Sequence, residues 1–358
     1  MAEPVQLTTA PSASLVHVRR ALQPLAPWLD AADVVEIVLN RPGEIWVERL
    51  GRPGMERHEV PDLTENAVRF LAERVASFSD QAVSAEHPLL SAALPSGERF
   101  QAVLPPAAPG GGAFAIRKQV VKDLSLDDFE RMGVFEGMAV TEEGAFTPLD
   151  AELCRLLEAG ERRGFIELAI HSRVSVLLSG GTSTGKTTAL NALLKAIPPD
   201  ERILTIEDTR ELRPQQANFV PLVATKGEQG VARVTAQSLL EASLRLRPDR
   251  IILGEIRGEE AFTFLQAINS GHPGSLSTVH ADSPQGAYEQ LALKVLMSGA
   301  GLSKDQIIGY IRQALPIVIQ LTRDGGVRRW SELYFSKFAA WRQACEAMRN
   351  RDLREAVQ

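Results

Sequence analysis

Cysteine is almost missing from this chain: Cys154 and Cys345 are the only two in 358 residues. They have no metal-ligand spacing and no companions for a disulfide framework, which excludes a cysteine-built zinc module and a disulfide scaffold. Reduced thiols in a cytosolic protein are expected. A basic excess is missing as well. Lys and Arg number 39 against 45 Asp and Glu, a formal net charge of −6. A chain built mainly to grip nucleic acid carries surplus positive charge, so direct nucleic-acid binding is not indicated. No apolar run nears the ~20 residues that cross a bilayer. The one around residues 314–321 is short and contains Pro316 and Gln320. The first thirty residues lack a continuous apolar core, which argues against a signal peptide. Any membrane contact is therefore expected to be peripheral. Neither an internal repeat nor a low-complexity block is visible.

What is present is an ordinary globular balance, 44% hydrophobic and 23% charged, in a chain long enough for two cores. Residues 1–14 are small and polar without a period, and a flexible tail is expected there. In residues 15–125, strand-like runs at 34–39 and 44–50 flank Asn40-Arg-Pro-Gly43, a hairpin signal. Val68, Leu71 and Val75 fall at helical spacing in 63–78, with Thr64 placed to cap. Further strand-like runs follow at 89–94, 99–104 and 113–117, which predicts a small α+β domain with an antiparallel sheet. Residues 126–150, with acidic patches, Gly133, Gly137 and Pro148, are expected to form a linker. The grammar then changes. After a helix at 150–161, short continuous apolar strands at 174–178, 203–206, 251–253 and 274–279 alternate with helices. That pattern predicts an α/β domain over residues 151–345, its parallel sheet covered on both faces, with a tail at 346–358.

Residues 180–187, Gly-Gly-Thr-Ser-Thr-Gly-Lys-Thr, fit G-x-x-x-x-G-K-[ST] without a gap. The context carries more than the match, because an apolar strand leads in and a helix leads out. Glycine lets the backbone wrap so that successive N–H groups of Gly180, Gly181, Thr182, Ser183, Thr184 and Gly185 turn toward phosphate oxygens. The helix that follows adds the positive end of its dipole, drawing in Thr187 and Thr188. Lys186 is expected to reach the β- and γ-phosphates of ATP, and the Thr187 hydroxyl to ligate Mg²⁺.

Phosphate binding alone would suit a kinase or a nucleotide sensor; hydrolysis needs a carboxylate that orients water. Two strands end in acids. Arg202-Ile-Leu-Thr-Ile-Glu207-Asp208 places two carboxylates just past an apolar run, and Arg250-Ile-Ile-Leu-Gly-Glu255 places one. Ligands of open α/β sheets bind at the carboxyl ends of the strands. Asp249 precedes its strand and would lie at the far end, so Glu255 takes the water-orienting role and joins Thr187 at the metal, with Glu207 as the second candidate. A fourth strand leads to His280, placed to sense the γ-phosphate, whereas His272 lies before that strand and is a weaker candidate.

The order of four blocks is family-specific. Residues 180–187 are followed by Ile206-Glu-Asp-Thr-Arg-Glu211, by Leu244-Arg-Leu-Arg-Pro-Asp-Arg-Ile-Ile-Leu-Gly-Glu-Ile-Arg-Gly258, and by Gly271-His-Pro-Gly-Ser-Leu-Ser-Thr-Val-His-Ala281. The chain resembles the secretion-superfamily traffic ATPases, which power type II secretion, type IV pili and type IV secretion. The blocks look like that family's Walker A, Asp box, Walker B and His box. The absence of a four-cysteine metal module, with His280-Ala-Asp-Ser-Pro284 and Glu289-Gln-Leu-Ala-Leu293, resembles the type IV secretion branch. The resemblance implies a smaller amino-terminal domain, a RecA-like carboxy-terminal P-loop domain, and a homo-hexameric ring. It also implies partners among inner-membrane secretion components and a coupling protein, and a place at the cytoplasmic face of the inner membrane. It gives meaning to Arg99 and Arg117, which match amino-terminal arginines that reach the phosphates as arginine fingers do; Arg210, beside Glu207, is a weaker candidate. A pilus or type II secretion motor of the same superfamily, a small-molecule kinase and a non-hydrolysing scaffold are the alternatives.

Overall fold

The computed structural model describes residues 13–120, 124–138, 140, 144–225 and 231–355. Most of the expected amino-terminal tail lies outside the described residues, and residues 13 and 14 open a helix, Ala13–Leu22. Parts of the expected linker (139, 141–143) and the last three residues of the expected carboxy-terminal tail also lie outside them. The rest of that tail belongs to a helix, Phe338–Glu355.

The chain divides into two compact units, one of residues 1–120, 200–211 and 216–251, the other of residues 121–199, 212–215 and 252–358. The first six strands all belong to the amino-terminal unit: β1 (Val34–Leu39), β2 (Glu44–Arg49), β3 (Glu56–Glu59), β4 (Leu89–Ala93), β5 (Arg99–Val103) and β6 (Ala113–Arg117). They form a sheet in the order β3-β2-β1-β6-β5-β4, antiparallel at every pairing. Its core is closed by the helices Ala13–Leu22 and Glu65–Phe78, the second of which buries Val68, Leu71 and Val75 at the spacing of one helical face. Thr64 caps that helix, its hydroxyl accepting from the Ala67 N–H at 3.2 Å.

The later strands are β7 (Val176–Gly180), β8 (Ile203–Glu207), β9 (Phe219–Val223), β10 (Arg250–Leu253), β11 (Leu276–Val279), β12 (Ile317–Asp324) and β13 (Val327–Phe335). β8 and β9 pair in parallel and count with the amino-terminal unit, although the sequence pattern grouped them with the α/β domain. Polar contacts, some of them fully buried, tie this region to the amino-terminal sheet. Arg202 at the head of β8 is fully buried; its guanidinium donates to Asn40, to Asn218 Oδ1 at 2.5 Å and to the Leu246 carbonyl at 3.0 Å. Arg247 grips Glu48 through two hydrogen bonds of 2.7 and 2.9 Å. The Val223 N–H donates to Ala107 O at 2.8 Å.

In the carboxy-terminal unit the strands run β13-β12-β7-β11-β10, parallel throughout except for β13, which returns antiparallel along β12. The boundary between the units falls inside β10, after Ile251. β7, β10 and β11 are buried along their whole length, as expected for strands covered on both faces. The carboxyl ends of β7, β11 and the second half of β10 point the same way, and the candidate residues of this unit lie there.

Candidate active site

The phosphate loop leaves β7 at Gly180 and enters the helix Lys186–Leu194. Two of its glycines are fixed by space and conformation. A Cβ on Gly180 would stand 2.7 Å from the Leu321 carbonyl and 2.7 Å from Thr184 Oγ1, and Gly185 holds φ +92° as the helix N-cap. Ser183 is also left-handed, at φ 61°. Within the loop the Thr184 hydroxyl donates to Gly181 O at 3.0 Å. The helical ladder opens with the Ala189 N–H donating to Gly185 O at 2.9 Å. By helix geometry the N–H groups of Lys186, Thr187 and Thr188 have no acceptor within the helix, and they sit at the positive end of its dipole. N–H groups so placed suit an anion.

Lys186 folds over the loop, donating to the carbonyls of Gly180 at 2.8 Å and Gly181 at 2.9 Å. Burial lowers its pKa, and the nearby Glu255 carboxylate partly opposes the shift. Its Nζ is also 3.3 Å from His280 Nδ1. An ammonium can only donate, so Nδ1 accepts; the neutral ring then carries its proton on Nε2. Nε2 lies 3.1 Å from Glu255 Oε1, with its N–H available to that carboxylate. The other carboxylate oxygen, Oε2, accepts from Arg257 at 2.9 Å. Lys186, His280, Glu255 and Arg257 thus form one continuous chain across three strand ends. The sequence reading missed Arg257, although it stands two residues after Glu255.

The backbone beneath these groups is locked by side chains of β11. Ser277 Oγ donates to Leu253 O and Thr278 Oγ1 to Gly254 O, both at 2.8 Å, and the Ile256 N–H donates to Thr278 O at 2.9 Å. The turn that carries Glu255 is therefore held from both sides. Thr187 is half-buried in the first helical turn, and its hydroxyl and the Glu255 carboxylate are hard oxygen donors of the type Mg²⁺ takes alongside phosphate oxygens. Thr182, Ser183 and Thr188 are exposed at the loop mouth.

The other candidates belong to the amino-terminal unit. Arg99 and Arg117 stand directly opposite each other on β5 and β6, both exposed. Glu36 of β1 is opposite Arg117, and Glu48 of β2 is opposite Glu36, so four charges share one row of the sheet face. Like charges directly opposite are destabilising, so the arginine pair is not explained by sheet stability. Glu36 is buried, and its pKa is pushed up to about 7 by desolvation, against the pull of Arg117. Glu207 ends β8 buried, accepting from the Glu211 N–H at 2.8 Å, with Thr205 Oγ1 3.5 Å from its second oxygen. Arg210 is exposed on the turn that follows.

Residues 154–355 match the family described as Type II/IV secretion system protein. The type IV secretion system protein VirB11 of Bartonella henselae is 38% identical over 348 residues, covering 93% of this chain and 96% of that one. PtlH of Bordetella pertussis, another type IV secretion system protein, is 40% identical over 315 residues, 85% of this chain and 90% of its own. The crystal structure of the Brucella suis VirB11 ATPase, in complex with sulphate, superposes with a TM-score of 0.84 at 36% identity, covering 90% of this chain and 98% of that one. With that agreement across both domains, and a phosphate loop joined to an acid at the ends of parallel strands, the chain belongs to the type II/IV secretion system protein family and is an ATPase of its type IV secretion branch.

Proposed function

We propose that the chain binds ATP in the loop of residues 180–187 and hydrolyses it with Glu255 as the residue that orients water. The observation that carries this reading is the chain Lys186–His280–Glu255, with contacts of 3.3 and 3.1 Å, at the ends of β7, β11 and β10. The loop N–H groups and Lys186 hold the phosphates. Thr187 and Glu255 hold Mg²⁺, which when bound neutralises charge on the phosphate oxygens. His280 fixes Glu255 and ties it to Lys186, so a change at the lysine is felt at the acid. Glu255 is favoured over Glu207 because it is joined through His280 to Lys186 of the phosphate loop.

Arg99 and Arg117 supply the second cationic half of the site, clamping the phosphates when the amino-terminal unit engages the nucleotide. Arg210 adds a weaker contact. The like-charged cross-strand pair supports this, since a polyanion between the two guanidinia removes their repulsion. Hydrolysis then releases the clamp, a nucleotide-biased closure that a homo-hexameric ring turns into work. Exposed Leu126, Met132, Val134, Phe135, Met138 and Val140, crowded into the expected linker, support contact between subunits. The likeness to type IV secretion system proteins supports a role in that system. Cargo export, DNA transfer or pilus biogenesis, docking to inner-membrane components and a coupling protein, and a seat at the cytoplasmic face of the inner membrane are part of the same proposal. Among the described residues no helix is long and apolar enough to cross a membrane.

The test pairs ATP binding with phosphate release in full-length variants. Lys186→Ala is expected to lose binding. Arg99→Ala and Arg117→Ala are expected to lose turnover by about 10³-fold, the scale of an arginine finger. Unchanged turnover in both arginine variants would end the clamp.

A further inference from the structure

Two side chains of the β12–β13 hairpin reach the nucleotide site, and neither belongs to its motifs. β12 and β13 pair from Ile317↔Phe335 out to Asp324↔Val327, whereas β7 accompanies β12 only as far as Leu321↔Gly180. The tip of the hairpin therefore runs on past the end of β7, beside the loop that β7 leads into. From β13, Arg328 Nε donates to the Ser183 carbonyl at 3.1 Å. Its Cδ lies 3.1 Å from where a Cβ on Gly185 would stand. From β12, Gln320 Nε2 donates at 3.1 Å to the carbonyl of Ala281, the residue after His280, to which Ser179 Oγ also donates at 3.4 Å. Gln320 is 1% exposed, and its Oε1 has no hydrogen-bond partner among the described residues. A buried amide with one orphaned oxygen costs stability, so packing does not account for it.

We propose that the β12–β13 hairpin is a positioning element of the nucleotide site, Arg328 holding the phosphate loop in its anion-ready turn and Gln320 holding His280 against Glu255. This rests on the reading of the site given above. Ser183 is a left-handed non-glycine residue, a conformation that persists only where its surroundings enforce it, and its carbonyl is the group Arg328 engages. A loop that relaxes out of this turn lowers apparent affinity by the fraction of chains left competent, and leaves the chemistry after binding alone. His280 contacts the acid, so releasing Gln320 is felt in turnover. The two ends of one hairpin therefore act on different constants.

The measurements are steady-state ATP hydrolysis and equilibrium binding of inorganic tripolyphosphate, which fills a phosphate loop without a base. For the full chain, Arg328→Ala is expected to raise KM for ATP about tenfold and weaken tripolyphosphate equally, with kcat within about twofold. Arg328→Lys keeps a donor at that place and is expected to restore most of the loss. Gln320→Met is expected to lower kcat about tenfold, with KM nearly unchanged and no fall in Tm, because the orphaned oxygen is gone. Arg328 is exposed, so its variants decide the matter if Gln320→Met does not fold. Wild-type KM and tripolyphosphate affinity in Arg328→Ala overturn the proposal. So does weaker ATP binding with unchanged tripolyphosphate binding, which would put Arg328 on the nucleoside. Wild-type kcat in folded Gln320→Met removes the His280 arm. If Lys186→Ala binds tripolyphosphate as the wild type does, the nucleotide site itself has been misread, whatever the hairpin variants show.

Discussion

Glu255 has a partner on each carboxylate oxygen, His280 at 3.1 Å and Arg257 at 2.9 Å, and that double hold distinguishes it from a solvated strand-end acid. Glu36 is the opposite case. It is buried in the charge row of the amino-terminal sheet, with Glu48 beside it in that row, and its pKa rises from 4.5 to about 7. The folded state therefore holds the Glu36 proton more tightly than the unfolded chain does. Stability from this group is full below about pH 4.5, falls as the pH rises toward 7 and stays low above it. The largest effect is about 3 kcal/mol. Glu36→Gln is expected to unfold at a higher temperature than the wild type at pH 8 and at nearly the same temperature at pH 4.5. Thermal unfolding at the two pH values checks it; equal differences at both would contradict the assignment. Arg202 carries a burial cost of the other sign. Desolvation, with Arg247 nearby, lowers its pKa to about 9, and its guanidinium donates to neutral oxygens, the side-chain amides of Asn40 and Asn218 and the main-chain carbonyl of Leu246. Asn218→Ala removes one of these acceptors and is expected to destabilise the amino-terminal unit by about 2 kcal/mol, read as a lowered denaturation midpoint.

At the scale of elements, the strand-to-helix turn at residues 180–187 has little room for substitution at its first glycine. Gly180→Ala would force a Cβ to within 2.7 Å of a backbone carbonyl on β12, where no flexible side chain can give way. It is expected to cost about 1–3 kcal/mol and to weaken ATP binding. An unaltered Tm and Kd would show that β12 and the loop are not packed as described. This turn was readable beforehand because its signals are local: glycines at fixed offsets, an apolar strand before them and a helix after. The helix over Glu65–Phe78 was readable for the same reason, from its capping Thr64 and its apolar face. The β12–β13 hairpin was not. Val327, Arg328, Arg329, Trp330, Ser331 and Glu332 are all exposed, so the outer strand has no buried face to impose a period of two. Gln320 read as an interruption of an apolar run, since a buried amide looks like a defect until its acceptor, 39 residues away in sequence, is known. The grouping of β8 and β9 with the amino-terminal sheet also rests on distant pairs, such as Arg202 with Asn40, which no local pattern announces.

At the scale of the whole molecule, the family blocks conveyed what local physics could not. Charge and composition excluded function classes without choosing one, and the superfamily's motors share their chemistry. Relatives at 38% and 40% identity over most of their length place the chain with type IV secretion rather than with pilus motors. A ring-forming motor is expected to show phosphate release per chain that rises with protein concentration until assembly is complete; a flat profile would mean that single chains suffice. The central claim is that the acid at the end of β10 turns a bound nucleotide over. Its most direct test is phosphate release by the Glu255→Gln chain at saturating Mg²⁺ and ATP, with bound ATP measured in the same samples. The account predicts ATP binding close to wild type and release slowed by at least about 100-fold. Release at the wild-type rate would contradict it and move the water-orienting role to Glu207.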